Sequence, residues 1–134
     1  MRARIAATGS AVPRRVLRNA DLERMVATSD EWIAERTGIR ERRVVDEGVA
    51  SSDLGTEAAR AALAAGGWEA ADLDLLLVAT CTPDMPLPST ACLIQRNLKA
   101  SRAIAFDLAA ACSGFLYGLS VADLYVRSGT CRKA

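Results

Sequence analysis

The sequence predicts an α/β chain in which helices cover a mostly parallel sheet. Three observations carry this. Leu73–Thr80 is an apolar run of strand length broken only by Asp74, which fits a parallel strand buried on both faces. Before it, Leu54, Ala58, Ala59, Ala62 and Leu63 recur at helical spacing. After it, a second strand at Ala103–Leu108 leads into an apolar helix from about Cys112 to Arg127, ending at Ser128-Gly129. With 51% hydrophobic residues but only 4% aromatic ones, the core must be built from alanine and aliphatic side chains, which lets helices lie close to a sheet.

The elements follow in order. Residues 3–8 read as a short strand ending at Gly9, with a turn toward Pro13. Asn19 is placed to cap a helix over Ala20–Ala27, with Asp21 and Glu23 favoured in its first turn by the helix dipole. Thr28-Ser29-Asp30-Glu31 fits a capping box for a helix carrying Trp32, Ile33 and Arg36, with Gly38 closing it. Trp32 and Arg36 are one helical turn apart and share a face. Ser51 or Ser52 caps the next helix, which runs to Gly66-Gly67. Thr82–Pro88 holds Pro83, Pro86 and Pro88 and reads as a loop, because that density of proline continues neither regular structure. Ser89 or Thr90 opens a helix to about Leu98.

Composition removes several function classes. A chain of 134 residues is one domain, with no repeat or low-complexity segment. Its 17 basic and 16 acidic residues leave a net charge of +1, so no field of one sign reaches outward, which argues against nucleic acid as the main partner. The densest basic cluster, Arg36, Arg40, Arg42 and Arg43, has two readings: a solvated, ion-paired turn, or a phosphate site, since guanidinium forks match phosphate oxygens. The four cysteines, Cys81, Cys92, Cys112 and Cys131, form no C-x-x-C pair, and there is no histidine, which excludes zinc sites of the Cys/His type. The opening residues do not form a signal peptide, and no apolar run approaches the ~20 residues of a membrane span. A cytoplasmic protein with reduced thiols is the expectation.

Ala105–Phe115 carries the chemistry. Small residues, Ala109-Ala110-Ala111-Cys112-Ser113-Gly114, follow a strand and open a helix, leaving room for a substrate against the backbone. A cysteine in the first turn of a helix sits in the field of unpaired N–H groups, which favours thiolate over thiol. The arrangement is that of a nucleophile elbow, and the Cys112 N–H is a candidate oxyanion donor. The competing reading is a small buried cysteine packing an alanine-rich core. Cys81 and Cys92 take that packing reading, and Cys131 has no argued role.

Several stretches resemble one family. Asn19-Ala-Asp-Leu-Glu, Thr28-Ser-Asp-Glu-Trp-Ile and Arg36-Thr-Gly-Ile-Arg-Glu-Arg-Arg43 resemble the N-terminal signature of β-ketoacyl-acyl carrier protein synthase III. Ser52–Ala59, Leu77–Thr80 and Pro88–Gln95 are similar to it as well, and Phe106-Asp-Leu-Ala-Ala-Ala-Cys-Ser-Gly-Phe115 resembles its active-site motif. The resemblance implies a thiolase-like α/β fold, of which residues 1–134 are the first of two similar halves. It implies an acyltransferase that starts type II fatty-acid synthesis. An acyl-CoA primer acylates the cysteine, malonyl-acyl carrier protein loses CO₂, and the carbanion attacks the thioester. CoA is then a substrate, and no cofactor is expected.

By position, Cys112 matches the acylated nucleophile and Trp32 the residue that stacks on the CoA adenine. Arg36 and Thr28 match neighbours of the CoA nucleotide, while Leu87 and Phe115 match acyl-pocket positions. Without the resemblance, Trp32 reads as half-buried packing. The implied partners are acyl-CoA, malonyl-acyl carrier protein and, in the full-length form, a second copy, with no membrane insertion. Family members run to more than twice this length, and their decarboxylating His and Asn lie in the second half. The expectation is therefore an incomplete chain without condensing activity of its own. Three alternatives stand beside it: a condensing or acyl-transfer enzyme of secondary metabolism, a non-catalytic fragment completed by a second chain, and a thiol sensor. The lack of C-x-x-C and of a basic neighbour argues against the last.

Overall fold

A computed structural model describes residues 3–134. They form two compact units, Val12–Val49 and residues 3–11 with 50–134.

The small unit is held by a polar hub. β1 (Arg15–Arg18) pairs antiparallel with β2 (Glu41–Val44), Arg15 opposite Val44 and Arg18 opposite Glu41. Between them lie α1 (Asn19–Leu22) and α2 (Asp30–Thr37). Its buried side chains are Ile33, at 8% exposure, and Asn19, at 1%. The Asn19 Nδ2 donates to Asp30 Oδ1 and to the Ile39 carbonyl, both at 2.8 Å. Its Oδ1 accepts from Arg42 Nη1 at 2.8 Å, and its backbone N–H donates to the Arg40 carbonyl at 3.2 Å. A buried amide is tolerated because each of its polar atoms is paired.

This hub overturns two expectations. Asn19 is the first residue of α1, not its cap, and the helix stops at Leu22 instead of Ala27. Its side chain is committed to Asp30, Ile39 and Arg42, so Asp21 Oδ2 takes the free amide of Arg18 instead, at 2.9 Å. The cap of α2 is Ser29, not Thr28: its Oγ accepts the Trp32 N–H at 3.1 Å, while Glu23 Oε1 accepts the Asp30 N–H at 2.6 Å. Gly38 closes α2 as expected, at φ +71°, a conformation that glycine adopts without steric cost. The two strands were not expected, because Arg-Val-Leu-Arg and Glu-Arg-Arg-Val are short and charged.

The larger unit is built on apolar packing. α3 (Ser51–Gly66) is capped at Ala50, whose N–H donates to Asp53 Oδ2 at 2.9 Å. The expected caps, Ser51 and Ser52, lie inside the helix and bond elsewhere: Ser51 Oγ donates to the Thr82 carbonyl and the Ser52 N–H to Asp84 Oδ1, each at 2.9 Å. β3 (Leu75–Ala79) follows, then α4 (Thr90–Leu98) and β4 (Ile104–Leu108). β3 and β4 are parallel, Leu75 opposite Ile104 and Ala79 opposite Leu108. Leu76 and Val78 face a cluster of Leu73, Ile94, Leu98, Ala100 and Ala103. Leu77 faces the other cluster, in which Leu75 packs with Val126 and Cys131. β3 is thus apolar on both faces as predicted, although only Leu75 along it is fully buried.

Residues 3–8 form no strand. Gly9 packs against α3 so closely that a Cβ there would lie 2.2 Å from the Ala58 carbonyl oxygen. A groove of about 710 Å³ is lined by this segment on one side and by Leu75, Leu76 and Leu77 on another. A strand exists only when its N–H and C=O groups find a ladder partner; β3 is laddered to β4 along one edge, and residues 3–8 do not pair with its other edge. The chain end is pinned instead: Asp74 Oδ2 accepts the N–H groups of Arg132 at 2.9 Å and Lys133 at 3.2 Å. Those amides, Arg132 first, hold the Asp74 carboxyl below the usual carboxylate range. Among the described residues no helix is long and apolar enough to cross a membrane.

Candidate active site

The Cys112 turn joins the end of the parallel pair to α5 (Gly114–Arg127). The Thr80 N–H donates to the Leu108 carbonyl at 3.2 Å, which keeps the tips of β3 and β4 together. The chain then crosses Ala109 and Ala110 into a single 3₁₀ turn, Ala111–Ser113. Cys112 therefore lies in this turn, two residues before α5 begins, and not in the first turn of the α-helix as expected. The reason is local. Ser113 donates its N–H to the Ala110 carbonyl at 3.0 Å and Gly114 donates to Ala111, which is a tighter winding than α. These bonds use the amides of Ser113 and Gly114, leaving the Cys112 N–H to another acceptor.

Two features hold the turn in this shape. Ala111 has φ +44°, in the left-handed region where an L-residue with a Cβ costs on the order of 1–2 kcal/mol. Strain of this kind persists only where the surroundings over-determine it, and it concentrates at functional sites. Gly114 is buried, and a Cβ on it would sit 3.1 Å from the Ala79 Cβ, so the start of α5 docks directly on the end of β3. Chain entry and exit are both fixed, and the Cys112 side chain is exposed.

That exposure leaves Cys112 without a packing role among the described residues. It also corrects the reading of Cys81, which is exposed in the loop just after β3. Cys92 is half-buried, accepting from Ser89 Oγ at 3.2 Å, with its Sγ 3.7 Å from the Ala105 carbonyl. Cys131 is 2% exposed, and burial, then the nearby Asp74 carboxylate, pushes its thiol up.

In the small unit, α2 brings Trp32 and Arg36 together: the guanidinium carbon lies 5.0 Å from the indole ring centroid. Trp32 is 53% exposed, so it is a presented surface and not packing. The basic cluster divides. Arg40 lies 4.0 Å from Asp30, Arg43 lies 3.8 Å from Glu41, and Arg42 is spent on Asn19. Arg36 alone of the four has neither a carboxylate in ion-pair range nor a hydrogen bond among the described residues. Thr28 is half-buried just ahead of the Ser29 cap.

Of the two acyl-pocket candidates, Phe115 lines the groove and Leu87 does not. Phe115, one residue into α5, lines the groove with Leu75, Leu77 and Leu119. Leu87 stands 84% exposed on the proline-rich loop. Sequence reading passed over Asp107 and Asp84, which tie that loop to β4. The available signal was a carboxylate inside an apolar strand, Phe106-Asp107-Leu108, since such a group must be paired when shielded from water.

A parallel strand pair covered by helices, with an exposed cysteine on the strand-to-helix turn, defines a thiolase-like α/β arrangement. It superposes on 3-oxoacyl-(acyl-carrier-protein) synthase III from Aquifex aeolicus VF5 with a TM-score of 0.89 and 50% identity, over 93% of this chain and 40% of that one. On the priming β-ketosynthase from the R1128 polyketide biosynthetic pathway the TM-score is 0.92 at 38% identity, over 96% and 39%. Over nearly its whole length the chain is similar to proteins of the β-ketoacyl-acyl carrier protein synthase III family. The family model for 3-oxoacyl-(acyl-carrier-protein (ACP)) synthase III matches residues 106–134, the stretch that holds Cys112. The β-ketoacyl-acyl carrier protein synthase III of Roseiflexus castenholzii is 60% identical over 130 residues, 97% of this chain and 39% of that protein. The chain spans about two fifths of the length of the curated relatives it matches.

Proposed function

We propose that this chain carries the acyl-accepting site of a condensing enzyme that joins an acyl-CoA primer to malonyl-acyl carrier protein at the start of fatty-acid synthesis. The observation that carries the reading is the exposed Cys112 on a strained, doubly anchored turn. The Cys112 thiolate attacks the thioester carbonyl of the primer. The new C–S bond forms, the oxyanion is met by the Cys112 N–H, and collapse expels the CoA thiolate, which takes a proton from water. Trp32 offers a stacking plane for the adenine, the unpaired Arg36 a fork for phosphate, and Thr28 a neighbouring hydroxyl. Leu87 and Phe115 are assigned to the acyl chain. CoA enters as substrate, and no cofactor takes part.

The decarboxylative step needs groups that polarise the malonyl thioester. These 134 residues contain no histidine, so the reaction of this chain by itself ends at the thioester. Pairing with a second copy and a cytoplasmic setting complete the reading. Incubation with acetyl-CoA followed by peptide mass spectrometry tests it: an acetyl group on the Cys112 peptide with release of free CoA is expected. No adduct there, or one on Cys81 instead, would refute it. Likeness to a priming β-ketosynthase of a polyketide pathway favours a second reading, in which the primer is not acetyl. A panel of acyl-CoA thioesters of rising chain length separates the two by which one acylates Cys112 fastest.

A further inference from the structure

We infer that Asp107 is a positioning residue that locks the Cys112 turn to the loop bearing Leu87, an inference that rests on the reading of Cys112 as acyl acceptor. Asp107 is half-buried in β4, next to its last residue. Its carboxylate divides between two backbone donors: Oδ2 accepts the Thr90 N–H at 2.8 Å and Oδ1 the Ala91 N–H at 2.7 Å. These are the first residues of α4, whose amides have no intrahelical acceptor, and both are 0% exposed. A negative charge there also meets the positive end of the helix dipole.

The chain of bonds continues from Thr90. Its Oγ1 accepts the Asp84 N–H at 3.1 Å, and Asp84 Oδ1 accepts the Ser52 N–H at 2.9 Å at the start of α3. With Ser51 Oγ on the Thr82 carbonyl at 2.9 Å, the loop is fixed at Thr82, Asp84 and Thr90, and Leu87 projects between the last two. On its other side Asp107 sets the end of β4, from which Ala109–Ala111 lead into the strained turn. Movement of Asp107 must therefore displace nucleophile and loop together.

The test uses Asp107→Asn in the full chain. The variant keeps one acceptor and turns an NH₂ toward an amide N–H. Acylation of Cys112 by acetyl-CoA should fall at least about tenfold, toward the ~100-fold that a ~1 Å misplacement can cost. Alkylation by iodoacetamide needs access but no alignment, so the ratio of Cys112 to Cys81 labelling should change by less than about twofold. Amide exchange should quicken in residues 82–90 and 109–114 together. Unchanged acylation, or labelling that falls as far as acylation, would overturn the role. If the unmodified chain takes no acyl group, the reading of Cys112 fails, and exchange alone decides the linkage: joint loosening supports it, loosening of one segment refutes it. Should Asp107→Asn not fold, Asp84→Asn, further along the same chain of bonds, is expected to loosen 82–90 and shift the ratio of acetyl to hexanoyl transfer. An unchanged ratio in that variant counts against the linkage.

Discussion

The two units of this chain solve the same problem by opposite means. Val12–Val49 presents Trp32 and Arg36 from a framework whose centre is a buried amide, with Ile33 its one buried apolar side chain among the described residues. The larger unit presents Cys112 from two apolar clusters on either side of β3, with the Asp107 carboxylate capping α4 and Asp84 holding the loop before it. The difference teaches where each is vulnerable. An apolar core loses stability in proportion to volume removed. A polar hub fails when one partner leaves and several buried groups lose their bonds at once.

The comparison can be broken or sharpened in five ways. Cys112→Ser should abolish thioester formation with no change in thermal stability, because the side chain is exposed; residual acylation on another cysteine, read by peptide mapping, would move the nucleophile. Ile94→Ala should cost about 2–5 kcal/mol in denaturant unfolding of the larger unit. Ile94 is 4% exposed and packs where Gly55 leaves room for it on α3, a Cβ there lying 2.5 Å from its Cδ1. Asn19→Ala should cost about 1–3 kcal/mol for the groups left unpaired, seen as faster amide exchange confined to the small unit. Exchange rising equally in β3 would show that the units do not fail separately. Trp32→Ala should weaken CoA binding by about tenfold, the size of one base-stacking contact, and leave unfolding unaltered.

The smallest effect is a pH dependence at the chain end. Asp74 has a lowered folded pKa, so its contribution is complete above the ordinary carboxylate range and is lost as pH falls through the lower folded value. The Arg132 and Lys133 amides should be released in that acid window, followed by NMR, and Asp74→Asn should remove the transition.

Apolar pattern made most of the larger unit legible. α3, β3, α4 and β4 lie where periodicity and run length placed them, and Ser89 caps α4 as expected, accepting the Cys92 N–H at 3.3 Å. The small unit was less legible because its order comes from contacts distant in sequence. Asn19 bonds to Asp30, Ile39 and Arg42, and no local propensity reveals that a capping residue will be taken by three later positions. Residues 3–8 carry the composition of a strand, but strand formation depends on a partner that a sequence window does not contain. The site divides in the same way. Cys112 and the Trp32–Arg36 pair were visible as motifs, whereas Asp107 acquires its meaning only from the amides of α4.

By itself the sequence determined the α/β alternation, the cysteine after β4, the helical face shared by Trp32 and Arg36, and the family to which these motifs point. Each is encoded in neighbouring residues, through side-chain period, turn chemistry and residue type. Tertiary structure alone decided that Cys112 stands exposed on a 3₁₀ turn behind a left-handed Ala111, that Arg36 alone of its basic cluster has no carboxylate partner among the described residues, and that Asp107 binds α4 to β4. Those outcomes depend on which buried polar groups find partners across the fold, a competition settled in space and not along the chain.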